Sequence, residues 1–553
     1  MPRSRLLTAA LGVALAVFAY VYGLSSLNAP TIGDETLYLQ IARKTAESGK
    51  LLPLVSDTGI TDTKPPLLFW QGILVTGFGE SWDLWRLRAP VVVLTFVTAL
   101  VIGILAARCS GRRSIGLLAA LVFLGFRSTI QYGRPFLTNA GEALFLFVPF
   151  LLLHRRTSTG VRLALACGVS LGVAALYKSF AVVAPGTLAL LLVLWRREHW
   201  DATALLRRHG VFVAVTVTTA LAVFGLWLVL DPRPDLVISQ FVVGENAGKF
   251  KPAAFLSGLF TGPYPLWRIW LGDLGNAGLY APLVAALLVD LWRRRRILPD
   301  VEAELWLFVL AFLAFYSIPT QRQENYLLAT CAALAVLLAL RWEALPGWAF
   351  RVVLGALAAA GLLLPWFETA LASHVGASLF SPLALLVPLA IGLVALAGAV
   401  RPTFGRTVLP HLALSVVVAG SLFLDPFSVT FPAGATAEVR GKPVLFPDRF
   451  GRSLERARFL LPGADVRSYT CAPGPGACPP PPASVGLHAA LELDAHERVP
   501  AGWEEIASLP SLKSRHTPEQ IAEIAGGRLD LLVGRLVLVR PAAVALSTAA
   551  RTR

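Results

Sequence analysis

The sequence predicts an all-α polytopic membrane protein of about thirteen spans, with amphipathic surface helices in its first outer loop and a small C-terminal α/β soluble domain. Three observations carry that expectation. Apolar runs long enough to cross a bilayer recur along most of a chain that is 56% hydrophobic and only 15% charged. Short arginine-rich loops alternate with loops poor in cations. Residues 425–553 then change to a soluble composition. A β-barrel is excluded, because its spans are shorter and alternate polar with apolar residues.

In order, the apolar runs fall near 6–27, 86–107, 114–132, 140–153, 161–177, 180–195, 210–230, 276–292, 303–319, 325–340, 350–368, 378–399 and 407–424. The first has a basic start like a signal peptide. It runs on to Leu24, however, and "LSSLNAP" is a poor cleavage site, so it reads as an uncleaved span. The two runs flanking Lys178 could also be one long segment. The loops "RCSGRR", "HRRTSTGVR", "WRREHWDATALLRRHG", "RRRR", "RWEALPGWAFR" and "RPTFGR" all fall on one side if the N-terminus is cytoplasmic, as the positive-inside rule requires. The membrane domain is then 1–424. The opposite side receives a first loop (28–85), a second loop (231–275) and the C-terminal domain (425–553). Heavy use of Ala, Leu, Arg and Gly, with a single Met, suggests a GC-rich bacterial gene. The expected location is therefore the bacterial inner membrane, with the outer side periplasmic. The net charge of +15 is topological first and can attract anionic lipid; no nucleic-acid partner is expected.

The first loop holds the chemistry. From Gly33-Asp34, the residues Leu37, Tyr38, Ile41, Ala42 and Thr45 recur at helical spacing, with Gln40, Arg43, Lys44 and Glu47 facing elsewhere and Gly49 as a stop. A surface helix follows, with Asp34 at its start. An N-cap role accounts for Asp34 as well as a catalytic one does. In "TDTKPPLLFWQGILV", Pro65 and Pro66 suit a helix entry and put Lys64 just before a helix N-terminus, a natural phosphate site. Further cations, Arg86, Arg88, Arg134, Lys178, Lys249, Lys251, Arg268 and Arg322, also map to the outer side, against the rule that orients the chain. An anionic ligand, a phosphate, explains the set. Pairing with Asp57, Asp62, Asp83, Asp235, Glu245 or Glu324 is the plain alternative.

The soluble tail has strand-like "KPVLF" and "LDLLVGRLVLVR" and a helix-like "PEQIAEIAG". In "CAPGPGACPPPP", Cys471 and Cys478 are either a disulfide pair or two free thiols. Cys109, Cys167 and Cys331 are isolated, and read as small core residues.

These residues carry a resemblance. "GDETLYLQIARKTAESGKLLP", "TKPPLLFW" and "RLRAPVVVL" resemble the bacterial C-type (GT-C) lipid-linked-sugar glycosyltransferases, which include the aminoarabinose transferases and relatives of the protein O-mannosyltransferases. "GRPFLTNAGEALFLF", "ALYKSFAVVAP" and "FYSIPTQRQENYLLAT" look like later segments of that family. The resemblance implies sugar transfer from a polyprenyl monophosphate on the periplasmic face to a lipid, glycan or protein acceptor. It implies Asp34 as the acceptor-activating carboxylate, with Glu35 and Tyr38 beside it. Lys64, Lys178, Arg88 and Arg134 would meet the donor phosphate, and Tyr38, Arg268, Arg322 and Tyr326 the substrate pocket. There are departures: Asn139 stands where the family often has Asp, Thr63 where some members have a Glu that helps bind zinc, and Ser179 where Gly is usual. A divalent metal is therefore not supported by the residues, and no cofactor is assigned. The sugar stays open, as does the acceptor: lipid A, a protein hydroxyl or a cell-wall glycan.

The residues agree with that chemistry independently. Glycosyl transfer from a phosphate donor needs one base and several cations, whereas a hydrolase needs two carboxylates at a set separation. Attack opposite the phosphate inverts the anomeric centre. The chain has no P-loop, no HExxH and no dinucleotide fingerprint after a strand. A transporter or flippase for an anionic lipid would use the same cations, and a noncatalytic scaffold presenting the tail is a third reading.

Overall fold

The computed structural model describes residues 3–28, 32–154, 156, 158–249, 258–375, 379–448, 454–471, 478–513 and 516–542. Lys251, the side chain of Lys249 and the chain beyond residue 542 lie outside the described residues.

Each of the thirteen apolar runs contains a helix. Among the described residues, seven helices are long and apolar enough to cross a membrane, and five more are apolar but shorter. In chain order the first ten helices are α1 (Arg3–Val21), α2 (Glu35–Glu47), α3 (Leu67–Val75), α4 (Leu84–Ser110), α5 (Arg113–Leu124), α6 (Arg127–Tyr132), α7 (Asn139–Leu153), α8 (Val161–Tyr177), α9 (Val183–Arg197) and α10 (Ala202–Leu230). Local signals set their ends. Asp83 caps α4 by accepting from the Arg86 amide, and Gly111 closes it in the left-handed region at φ 69°. The predicted run 114–132 is broken at Gly125 into α5 and α6. The two runs around Lys178 are separate helices, α8 and α9.

The chain divides into two compact units. The first comprises 1–24, 40–358 and 394–417. Its helices pack closely where glycine permits. A Cβ at Gly116 on α5 would collide with the Gly103 carbonyl oxygen on α4, so backbone meets backbone there. A Cβ at Gly141 on α7 would lie 2.6 Å from the Tyr177 ring at the end of α8. That ring is nearly buried, and its hydroxyl donates to Gln71 Oε1 on α3 at 2.9 Å. The contact ties α3, which follows Lys64, to α8, which Lys178 caps. The first loop also forms a short antiparallel hairpin, β1 (Val55–Ser56) with β2 (Gly59–Ile60).

The second unit comprises 25–39, 359–393 and 418–553. Its described residues form a five-stranded mixed sheet from β3 (Pro443–Asp448), β4 (Asp465–Thr470), β5 (His488–Asp494), β6 (Trp503–Leu512) and β7 (Val533–Pro541), in the order β4-β3-β5-β7-β6. β3 pairs parallel with β4 and β5, while β7 runs antiparallel to β5 and β6. Alternation explains the two packed faces. Ala490 and Leu538 point into one cluster with Val439, Val444 and Leu461, while Ala489, Leu491, Val537 and Val539 point into another with Trp503. The helix Pro518–Ala525 starts with a capping box between Thr517 and Gln520. Cys471 and Cys478 are joined by a disulfide.

Candidate active site

The second loop organises the site in the first unit. Its segment Val237–Asn246 is a π-helix, a rare geometry that recurs at functional sites. Three of its side chains reach two other segments, the first loop and the turn after α8. Gln240 Oε1 accepts from the Asp62 amide at 2.9 Å. Glu245 Oε2 lies 3.0 Å from Lys64 Nζ. Asn246 Oδ1 accepts from the Ser179 hydroxyl at 2.6 Å. Ser179, the residue where glycine is usual in the resembling family, thus makes a specific contact.

Lys178 gains its exposure from a break between helices. It is the C-cap of α8, and Ser179 then runs extended before its Oγ caps the next turn at the Ala181 amide. Lys178 Nζ lies 3.6 Å from Glu142 Oε2 on α7, a carboxylate only 5% exposed. The Tyr326 ring lies 5.3 Å from that of Tyr316. Lys64 and the segment that carries Lys178 are thereby connected through two adjacent residues, Glu245 and Asn246.

The arginines of the expected site have these partners. Arg88 is fully buried and donates to the Leu24 carbonyl at 2.7 Å. Arg134 is nearly buried and donates to the carbonyls of Tyr20, at 3.4 Å, and Tyr22. Both thus meet carbonyls at the end of α1, where the helix dipole favours cations. Burial holds the Arg134 guanidinium below its usual range, to about 10, and neighbouring Arg88 adds to that. Arg322 is also fully buried, and donates to the carbonyls of Ser317, Gly258 and Tyr264 at 3.0–3.1 Å. It braces the second loop. Arg268 Nε donates to Glu324 Oε2 at 2.8 Å, and the guanidinium stands over the Tyr264 ring. That hydrogen bond holds the Glu324 carboxyl below its ordinary range.

Asp34 stands at the entry to α2, after Gly33 at φ 57°. Its carbonyl accepts from the Tyr38 amide at 2.9 Å, as an N-cap residue's does. Asp34 is half-buried, Glu35 fully buried and Tyr38 nearly so. These three belong to the second unit, and Lys64 and Lys178 to the first. Gln40 corrects the expected outward face of α2: it is buried, and its amide donates to Asp57.

Asp62 was expected only as a pairing partner. It is fully buried, with no side-chain hydrogen bond to its oxygens among the described residues. Burial, then the charges of Asp231 and Asp235, push its carboxyl up to about 7 against the Leu54 amide and Arg233. Among the described residues, no group of three or more His, Cys, Asp or Glu is placed to hold a metal ion.

No family model matches the sequence. No curated protein matches it either. Solved structures do. ArnT from Cupriavidus metallidurans bound to undecaprenyl phosphate aligns over 83% of this chain and 85% of its own, with a TM-score of 0.59 and 17% identity. The apo form of that protein aligns over 98% of both chains, with a TM-score of 0.55 and 15% identity. The chain has a GT-C fold. At this identity the likeness is one of fold. The S. cerevisiae Pmt1–Pmt2 O-mannosyltransferase complex aligns over 42% of this chain at a TM-score of 0.31, too low to argue from.

Within this GT-C fold, sequence reasoning passed over Glu142 and Asn246. Glu142 had a signal: a carboxylate inside the apolar run "NAGEALFLF" is costly unless it has a partner. Asn246 had none, because its contact with Ser179 spans 67 residues.

Proposed function

We propose that this protein transfers a sugar from a polyprenyl monophosphate to a hydroxyl or phosphate acceptor at the outer face of a bacterial inner membrane. The observation that supports it most is that Glu245 meets Lys64 while the adjacent Asn246 meets Ser179, the residue next to Lys178. Two lysine-bearing segments more than a hundred residues apart are thereby connected, on a fold shared with a structure bound to undecaprenyl phosphate.

The chemistry follows from the groups. Asp34 takes the proton from the acceptor, whose oxygen attacks the anomeric carbon from the face opposite the phosphate. The bond from that carbon to the phosphate oxygen breaks, and its electron pair stays on the phosphate. Lys64 and Lys178 stabilise that charge as it develops, and the sugar inverts. Glu35, buried beside Asp34, is assigned to positioning. Glu245 and Glu142 keep the two lysines in place until the donor phosphate replaces their carboxylates as the partner anion. Arg88, Arg134 and Arg322 shape this site through backbone carbonyls.

The test is transfer of labelled sugar from a polyprenyl-phosphate donor in membranes. Asp34→Asn and Lys64→Ala are expected to lose about 100-fold or more in rate while remaining folded. Full activity of folded Asp34→Asn removes the base assignment. Donor that the wild-type protein never consumes removes the transferase reading and leaves a transporter.

A further inference from the structure

α8 runs from Val161 to Tyr177, so Lys178 marks one of its ends. A cavity of about 720 Å³ opens at the other end, about 25 Å away along the helix. It lies where α7 and α9 finish and where α8, α10 and the helix Asp300–Ser317 begin. The reaction proposed above makes no use of it. On the positive-inside reading this end faces the cytoplasm.

The acidic residues that line it are each met by a cation or an imidazole. Arg197 grips Glu304 through two bonds, at 2.7 and 2.9 Å, and Arg196 meets Asp300 at 2.8 Å. Glu198 meets both Arg208, at 2.8 Å, and His209, at 3.1 Å. His209 is nearly buried, and its second ring nitrogen meets Thr159 at 2.7 Å. The carboxylates are therefore spent. Donors without such partners stand at the mouth: Arg156 is exposed with no ion pair among the described residues, and the exposed His199 ring has no hydrogen bond among them.

The mouth is also held in an unfavourable shape. His199 and Trp200 have φ of 52° and 65°, consecutive non-glycine residues in the left-handed region. A helix can end this way with glycine at no steric cost. Here two large rings take those places, and both line the cavity. The Trp200 amide is bonded to the Trp195 carbonyl at 2.9 Å, and the two indoles meet edge to face. Backbone strain over-determined by its surroundings points to function. Beside the mouth, Val161 and Leu165 on α8 and Leu206 on α10 are exposed, as lipid-facing residues are.

We propose that this cavity binds the phosphate of an anionic lipid headgroup, with Arg156 and His199 as donors and Trp200 as its interfacial rim. Arginine suits a phosphate through its forked donors, and basic pockets between transmembrane helices at the cytoplasmic side suit anionic headgroups. Tryptophan sits well at headgroup level with lipid tails against the apolar helix faces.

The test uses the full-length protein in nanodiscs and detergent, with lipid retention read by native mass spectrometry. The wild type is expected to retain phosphatidylglycerol over phosphatidylcholine. The Arg156→Ala/His199→Ala double variant is expected to weaken that retention about ten-fold, at an unchanged melting temperature. Lys64→Ala is expected to leave it untouched, which separates this site from the donor site. Competition by millimolar inorganic phosphate supports a phosphate site and reassigns its source to a soluble ligand. Absence of headgroup preference in the wild type, or full retention by a folded double variant, overturns the proposal. If the double variant does not fold, Arg156→Glu with His199 intact is used, and retention by that variant at the wild-type level likewise overturns it.

Discussion

Lys64 Nζ lies 3.0 Å from Glu245 Oε2, across 181 residues of sequence. The pair is partly exposed, at 23% and 35%, so it is worth little to stability, about 0–1 kcal/mol. Its meaning is competitive. A donor phosphate that takes Lys64 must displace Glu245. Glu245→Gln is therefore expected to lower the KM for the donor about two- to five-fold, with kcat little changed. Steady-state transfer at varied donor concentration checks this, and a large fall in kcat would instead put Glu245 in the chemistry.

The Lys178–Glu142 pair behaves differently because Glu142 is nearly buried. Removing the lysine leaves a carboxylate without its cation in an apolar surround. Lys178→Ala is expected to lose stability by about 1–3 kcal/mol as well as transfer. Adding Glu142→Gln is expected to restore the melting temperature and leave transfer lost. Recovery of both would show that Lys178 acts only on stability.

Asp62 predicts a pH dependence. Its folded-state pKa, about 7, is raised above its ordinary value of 3.8. The protonated form is therefore favoured by folding, and this contribution is complete below about pH 4 and lost as pH rises through about 7. Asp62→Asn mimics the protonated acid. It is expected to melt higher than the wild type at pH 8, nearly equal at pH 4.5, and to flatten the profile between them. Thermal unfolding in detergent across that range decides the matter.

Gly116 and Gly103 let α5 and α4 touch backbone to backbone. Neither helix can move away without disturbing its other neighbours. Gly116→Val is expected to cost about 1–3 kcal/mol and to lower the melting temperature without changing the KM for the donor in the protein that remains folded. A wild-type melting temperature would mean that the helices part freely.

Much of the architecture was legible because its determinants are local. The bilayer sets a length, and thirteen runs of apolar residues met it or came near it, each becoming helix. Gly33-Asp34 and Pro65-Pro66 marked the starts of α2 and α3 because caps and prolines act within one turn. The arginines were less legible. Arg88, Arg134 and Arg322 stood out as cations, and backbone carbonyls are among the partners of their guanidinium groups. Sequence records that a cation is present, and says nothing of which oxygen lies within 3 Å of it.

By itself the sequence determined the apolar runs that became helices, the starts of α2 and α3, strand-like runs of the C-terminal sheet and the lysines worth testing, since hydrophobic length, turn chemistry and charge are carried by neighbouring residues. Only the tertiary structure decided that Lys64 meets Glu245, that Lys178 meets Glu142, and that Asn246 links their segments. Ion pairs and hydrogen bonds act over a few ångströms in space, and a distance of 67 or 181 residues along the chain does not reveal which groups the packing will bring that close.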